Sequence, residues 1–279
     1  MGYSAENAIK TKFDHAYNMT SPVEYLKEMR SLDYQIPENS KTILNFLIEE
    51  KKQCTGKDVI KILDIGCSYG ILSALIKFNL DLEVLYNKYN QKGMDKGRLD
   101  DGWFRNLPCR KDVEFHGIDT SANAIEYSIS SGFIESGLAV NLEMEETVQS
   151  GKLPDDVDII VSTGCIGYIT EITLGKLAEH YKLEKPWIAS FVLQIFDFEP
   201  IGDALRRYNY NSVYLDQRKF RQRKFKNQNE KTSVTQILSK RAETASEKER
   251  FLLEEFMCAD FYLSQPSGEA KSNVFSVFT

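Results

Sequence analysis

Short apolar runs alternate with helix-forming segments through the middle of the chain, and this alternation constrains the fold more than any other feature. The runs fall at residues 59–65, 113–119, 138–143, 156–163 and 187–196. They are rich in β-branched residues, as buried strands are. Helical segments such as 71–89 and 121–132 separate them. Strands that alternate with helices pair in parallel, so we predict a parallel sheet covered by helices on both faces.

The two ends of the chain depart from this pattern. Residues 1–40 include SPVEYLKEMRSL, which begins with Ser-Pro as helices do, and we predict an N-terminal helical lid there. Residues 41–202 are the predicted core. The charged residues 203–256 are a predicted C-terminal helical insertion that caps the substrate. Two alternating runs within 257–279 predict an antiparallel strand pair at the edge of the sheet.

These segments together predict one α/β domain. Its core is a Rossmann-like, seven-stranded and mostly parallel sheet with helices on both faces. The lid and the insertion are additions to that core rather than separate domains.

The composition is that of an ordinary globular protein. The 279 residues are 42% hydrophobic, enough for one large core, and the net charge of -6 argues against binding nucleic acid over the whole surface. No apolar stretch is long enough to span a membrane, and the first residues lack an apolar leader. The five cysteines, with no close pair, suggest neither disulfides nor zinc, and no cluster of acids and histidines suggests another metal. We expect a cytoplasmic protein without a membrane partner.

The stretch KILDIGCSYG places an acid and two glycines where the first predicted strand ends. The spacing is D-x-G-x-x-x-G, formed by Asp64, Gly66 and Gly70 with Cys67 and Ser68 between the glycines. Ligands of doubly wound sheets bind at the carboxyl ends of the strands, and glycine lets the backbone approach them closely. A dinucleotide site has the pattern G-x-G-x-x-G, which this turn lacks. The turn therefore indicates a ligand without a pyrophosphate.

Asp119 ends the second predicted strand. An acid at this position can accept hydrogen bonds from both hydroxyls of a ribose. It lies farther along the chain than the usual spacing of about 20 residues, because a long helix and a polar insertion intervene. Asp119 could instead cap the helix that begins after Ser121, so two interpretations stay open.

The order LDIGCSYG, FHGIDTSANAIEYS and DIIVSTGCIGY resembles a class I S-adenosylmethionine-dependent methyltransferase. The resemblance covers about residues 40–200 and the strand pair at the end. It implies S-adenosyl-L-methionine as the cofactor, with Asp119 and Thr120 at the ribose and with Thr163 and Gly164 beside the reacting methyl group.

The same resemblance implies that the first motif, from Asp64 through Gly66, Cys67 and Ser68 to Gly70, cradles the methionine part of the cofactor. A cysteine stands in it where the family commonly has a glycine. The longer pattern is similar to an uncharacterised bacterial group of small-molecule methyltransferases, and this similarity supplies no substrate.

Methyl transfer from a sulfonium depends on orientation more than on acid–base groups, so no strong catalytic motif is expected. Tyr168, His15 and Asp197 are the candidate catalytic residues. Asp197 lies after the fifth predicted strand and could instead cap a turn. Tyr17 and Tyr168 are candidates for contact with the substrate, and packing is the alternative interpretation for Tyr17.

The run RKFRQRKFK at 218–226 has six basic residues and no acid. Arg218, Arg221 and Arg223 could bind an acidic group of a small substrate. The run could also contact nucleic acid, or it could be the solvated face of a helix balanced by acids at 243–255. We expect a small-molecule partner ahead of nucleic acid. The oligomeric state stays open, with a homodimer as one option.

The predicted function is methyl transfer to an oxygen or nitrogen atom of a small molecule. One alternative is an RNA or protein methyltransferase that uses the basic run. Others are a non-catalytic protein that binds S-adenosylmethionine and a nicotinamide-dependent oxidoreductase, which the glycine spacing disfavours.

Overall fold

The computed structural model describes residues 17–90, 102–144, 153–242, 244, 251, 254–269 and 272. Seven strands in these residues form one sheet. They are β1 (Ile60–Ile65), β2 (Val113–Asp119), β3 (Ser136–Ala139), β4 (Ile159–Thr163), β5 (Trp187–Leu193), β6 (Tyr210–Lys224) and β7 (Phe256–Pro266).

The strands lie in the order β3-β2-β1-β4-β5-β7-β6. The first five pair in parallel, and β7 is antiparallel to both β5 and β6. This confirms the predicted α/β fold with a mostly parallel sheet. The strand order reverses between β1 and β4, so the carboxyl ends of these two strands flank the crevice in which such sheets bind ligands.

Eight α-helices are described. They are α1 (Val23–Ser31), α2 (Ile36–Thr55), α3 (Ile71–Lys77), α4 (Leu82–Tyr89), α5 (Ala122–Ser130), α6 (Glu171–His180), α7 (Glu199–Arg206) and α8 (Gln228–Arg241). None of the described helices is long and apolar enough to cross a membrane.

The helices cover both faces of the sheet. One core cluster joins β1 and β2 to residues of α2 and α5, including Leu47 and Ile125. A second joins β1 and β4 to residues of α6 and α7, including Leu174 and Leu205. Burial on both faces explains why the parallel strands are apolar throughout rather than alternating.

Two helix boundaries differ from those predicted. The predicted helix 71–89 is two helices, α3 and α4, because Asn79 adopts a left-handed conformation with φ 49° and ends α3. The helix predicted to start after Ser40 starts at Ile36, where Pro37 suits the first turn. Ser40 is therefore inside α2, which crosses the predicted boundary between lid and core.

The predicted helical insertion at 203–256 is wrong for the part that carries the basic run. Residues 210–224 form β6, a 15-residue strand. The helical residues in the described part of the segment are the last residues of α7, all of α8 and Phe251. The partner assigned to β7 is also wrong. The prediction paired two runs within 257–279, whereas β7 lies between β5 and β6. Most of the second run, 273–279, is outside the described residues.

Candidate functional site

The glycine turn follows β1 and is tied to the end of β2. The amide of Gly66 donates to the carbonyl of Ile118 at 2.7 Å, and the amide of Gly70 donates to Cys67 O at 2.9 Å. Gly66, Ser68 and Gly70 all have positive φ values, of 68°, 51° and 69°. Because this conformation strains most side chains, two of the three positions are glycine.

Protein atoms fill the space beside both glycines. A Cβ on Gly66 would lie 2.7 Å from the Cβ of Cys165, and one on Gly70 would lie 3.0 Å from Ser128 Oγ. The glycines thus allow the turn to pack against the loop after β4 and against α5. The side chain of Cys67 packs in the same way, since a Cβ on Gly117 of β2 would lie 2.6 Å from its sulfur.

Asp119 is buried at the end of β2, and its carboxylate accepts three hydrogen bonds. Its Oδ2 accepts hydrogen bonds from the amide of Ser68 at 2.9 Å and from the hydroxyl of Tyr17 at 2.6 Å. Its Oδ1 accepts from the amide of Ser121 at 2.9 Å. Asp119 therefore joins the glycine turn to the start of α5 and to the N-terminal segment. Thr120, next to it, is exposed.

Asp64 is 1% exposed, and its Oδ1 has no hydrogen-bond partner among the described residues. Burial raises its pKa well above the usual range, and the charge of Asp119 raises it further. A buried acceptor without a partner costs free energy. A hydrogen-bond donor or a cation from a ligand would relieve that cost.

Tyrosines from the N-terminal part of the chain cover the two acids. The rings of Tyr17 and Tyr25 lie 5.8 Å apart, and Tyr25 lies 5.5 Å from Tyr69. The hydroxyl of Tyr69 accepts a hydrogen bond from the amide of Met19 and thereby fixes the segment. Burial raises the pKa of Tyr25 to about 12 and the pKa values of Tyr17 and Tyr34 well above 10. These hydroxyls therefore stay protonated near neutral pH.

The loop after β4 completes the site. Thr163, the last residue of β4, and Gly164, the first of the loop, are half-buried, and the thiol of Cys165 donates to the carbonyl of Ile65 at 3.0 Å. Burial raises the pKa of Cys165 to about 12 and that of Cys67 well above 9. Neither thiol is a thiolate, and both serve packing.

The described residues among the predicted catalytic ones are more exposed than the two buried acids. Tyr168 is on the loop after β4 but is 51% exposed. Asp197 is exposed, and its Oδ1 accepts from the amide of Glu199 at 3.0 Å, which caps α7. His15 is outside the described residues. No group of three or more His, Cys, Asp or Glu side chains in the described part of the chain could hold a metal ion.

The basic run is largely matched by acids. Arg223 is buried and pairs with Glu230 at 2.7 Å, and Lys219 pairs with Asp260 at 2.7 Å. Arg223, one of the three candidates for binding the substrate, is thus already paired, and the other two candidates stack on rings. Arg218 lies 5.2 Å from the ring centre of Phe220, and Arg221 lies 4.7 Å from that of Phe256.

Two further residues contact the loop after β4 and were not predicted from the sequence. Gln222 is buried, and a Cβ on Gly164 would lie 2.5 Å from its Nε2. Glu143, after β3, accepts hydrogen bonds from Thr170 and Thr173 at the start of α6. Both contacts depend on tertiary structure, and no local motif marks either residue.

No family model matches the chain, and no curated protein matches it. Among solved structures, it is similar to a TehB-like SAM-dependent methyltransferase from Corynebacterium glutamicum, at 14% identity and a TM-score of 0.38 over 77% of this chain and 86% of that chain. It is also similar to the plantazolicin methyltransferase BpumL in complex with SAH, at 10% identity and a TM-score of 0.41 over 95% of both chains.

A third similar structure is the complex between the Haloferax volcanii Trm112 methyltransferase activator and the putative methyltransferase. It aligns at 11% identity and a TM-score of 0.44 over 87% of this chain and 94% of that chain.

Proposed function

We propose that this chain is an S-adenosylmethionine-dependent methyltransferase. The observation that carries the proposal is the pair of buried carboxylates, Asp64 and Asp119, at the ends of two adjacent parallel strands. The glycine turn links them at the edge of the sheet where doubly wound folds bind ligands.

The residues of the site fit this cofactor. The unpartnered Oδ1 of Asp64 suits an ammonium group, which has three donors and a positive charge. The two oxygens of Asp119 suit the hydroxyls of a ribose, which would replace the hydrogen bond from the hydroxyl of Tyr17. Gly66, Cys67, Ser68 and Gly70 form the turn between these carboxylates.

S-adenosylmethionine supplies an electrophilic methyl group when it is bound. An acceptor held beside Asp64 and Asp119 would take this methyl group with a lone pair and would give up its proton to solvent after transfer. The chain has to hold the acceptor in line and to exclude water during transfer. The hydroxyls of Tyr17, Tyr25 and Tyr34 stay protonated, so they can donate hydrogen bonds but are poor bases.

A small molecule with an oxygen or nitrogen acceptor is the substrate that we favour. Tyr17 and the buried Tyr25 of α1 cover the acids, which leaves little room for a macromolecular acceptor. The ion pairs of Arg223 and Lys219 also reduce the positive field that nucleic acid would need.

Calorimetric titration with S-adenosylhomocysteine tests the cofactor assignment. We expect a Kd in the micromolar range for the wild-type protein and no measurable binding for Asp119→Ala. Asp112→Ala is the matched control, because it removes a carboxylate just before the opposite end of β2. A wild-type protein that does not bind, or an Asp119→Ala variant that binds normally, would contradict the proposal.

Label transfer from [methyl-¹³C]S-adenosylmethionine into a cell extract tests the substrate class. We expect the label in the small-molecule fraction, with carbon shifts of O-methyl or N-methyl groups. Label confined to RNA or protein would contradict the small-molecule assignment and leave the cofactor assignment intact.

A further inference from the structure

Gln222 reaches the site through an irregularity in β6. Arg221 pairs with Cys258 of the antiparallel strand β7, and Arg223 pairs with Met257, the residue adjacent to Cys258. Gln222 is therefore an extra residue that faces no partner, which is a β-bulge. A bulge redirects the side chain that it carries, and bulges are frequent beside active sites.

The redirected side chain points at the loop after β4. A Cβ on Gly164 would lie 2.5 Å from Nε2 of Gln222, so the amide packs directly against the backbone of this glycine. Gly164 also has a φ of 93°, which other residues rarely adopt. The amide of Gln222 thus lies beside the carboxyl end of β4, although β6 is at the far edge of the sheet.

Gln35, just before α2, and Asn39, in its first turns, hold the bulge in place. The amide of Gln35 donates to the backbone carbonyl of Gln222 at 2.7 Å, and the side chain of Asn39 donates to the carbonyl of Arg221 at 2.8 Å. Ile36, the first residue of α2, also lies beside Gly164, since a Cβ on that glycine would lie 3.8 Å from its Cγ2. Gln222 is therefore fixed beside both the start of α2 and the loop after β4.

The amide oxygen of Gln222 has nothing to bind in the described part of the protein. The residue is 7% exposed, and its Oε1 is buried without a hydrogen-bond partner. Native proteins rarely leave a buried polar atom unpaired unless a ligand or water completes it. Gly164 and the contacts from Gln35 and Asn39 fix the position of Gln222 at the bulge. They hold in place an acceptor, Oε1, that no described residue uses.

We propose that Gln222 is a substrate-binding residue that accepts a hydrogen bond from the O–H or N–H group of the methyl acceptor. This inference rests on the proposed function and narrows it to acceptors that carry a donor hydrogen. A carboxamide is neutral and does not take up the proton. It orients the acceptor atom so that a lone pair faces the methyl carbon, and the proton leaves to water after transfer.

The experiment compares Gln222→Leu with Gln265→Leu. Gln265, on β7, is a second buried glutamine with an unpaired amide atom, and it pairs in register with Asn211 near the start of β6, away from the bulge. Each variant is measured for S-adenosylhomocysteine binding, for Tm and for transfer of ¹³C-methyl into the small-molecule fraction of an extract.

For Gln222→Leu we expect the Kd of S-adenosylhomocysteine to stay within about twofold and the transfer rate to fall by about tenfold, the equivalent of one lost hydrogen bond. Its Tm should be unchanged or raised, because an unpaired buried acceptor has been removed. Gln265→Leu should transfer the methyl group at the wild-type rate.

Three results would overturn the inference. They are an unchanged transfer rate in Gln222→Leu, a lower Tm in that variant, as expected for a purely structural glutamine, and a wild-type protein that binds S-adenosylhomocysteine but methylates nothing in the extract. Failure of the wild-type protein to bind S-adenosylhomocysteine would instead reject the proposed function itself.

Discussion

At the scale of the single residue, Asp64 is the side chain whose state depends most on its surroundings. Its pKa in the folded protein lies above the value of about 3.9 that an unfolded chain gives. Between these two values the folded protein binds more protons than the unfolded chain, so the free energy of unfolding falls as the pH rises. Asp64 therefore destabilises the fold at neutral pH while it supplies an acceptor for a ligand.

We expect Asp64→Asn to raise Tm at neutral pH, by about 2–4 °C for each kcal/mol of relieved cost, and to weaken S-adenosylhomocysteine binding. Thermal unfolding followed from acidic to neutral pH should show the gap between variant and wild type widening as the pH rises. The control is Asp112→Asn. Arg110 holds the pKa of Asp112 well below its usual range, so this substitution should lower Tm at neutral pH. A lower Tm for Asp64→Asn would mean that its carboxylate is paired.

Tyr17 competes for the acid that the proposed function assigns to a ribose. Its hydroxyl donates to Oδ2 of Asp119 at 2.6 Å. We expect Tyr17→Phe to tighten S-adenosylhomocysteine binding by roughly 2- to 10-fold, since one hydrogen bond no longer has to be exchanged. Calorimetry on Tyr17→Phe and on Tyr25→Phe, which leaves the bond from Tyr17 to Asp119 in place, checks this. Weaker binding by Tyr17→Phe would place the hydroxyl in contact with the bound ligand instead.

At the scale of the secondary-structure element, the N-terminus of α6 depends on hydrogen bonds to a residue that precedes β4 in the chain. Glu143 accepts hydrogen bonds from the amides of Thr170 and Thr173 at 2.8 and 3.2 Å and from both threonine hydroxyls. These are donors at the N-terminus of a helix, where a carboxylate is also favoured by the helix dipole.

We expect Glu143→Ala to lower the free energy of unfolding by about 2 kcal/mol, because charged hydrogen bonds are lost. Urea denaturation measures this. Glu143→Gln keeps one acceptor oxygen, so its free energy of unfolding should lie between those of Glu143→Ala and the wild-type protein. An unchanged midpoint for Glu143→Ala would show that the side chain of Thr170, which already accepts from the amide of Ile172, is a sufficient cap.

The elements that could be predicted from the sequence are those whose signal is local. Strands β1 and β2 follow β-branched runs, and the predicted bounds 113–119 match β2. Strand β6 could not be predicted in the same way, because its charges suggested a solvated helix. Those charges are accommodated by tertiary partners such as Glu230 and Asp260, which lie in later elements.

At the scale of the whole molecule, the candidate site is assembled from distant parts of the chain. Asp64 and Asp119 were predictable, because each ends an apolar strand and such ends meet at one edge of a sheet. Tyr17 lies 102 residues from Asp119 in the sequence, and Gln222 reaches Gly164 only through a bulge. A local pattern contains neither relation, so these contacts required the structure.

The position of β7 between β5 and β6 has a consequence for synthesis of the chain. Strand β6 leaves the ribosome before β7, its partner in the sheet. Its backbone N–H and C=O groups therefore stay unpaired until β7 has been synthesised. A long unpaired strand invites association with other copies. Five of the residues at 218–224 are lysine or arginine, and their mutual repulsion opposes such association until β7 arrives. Charges that pair with acids in the finished fold thus also protect the strand while the fold is incomplete.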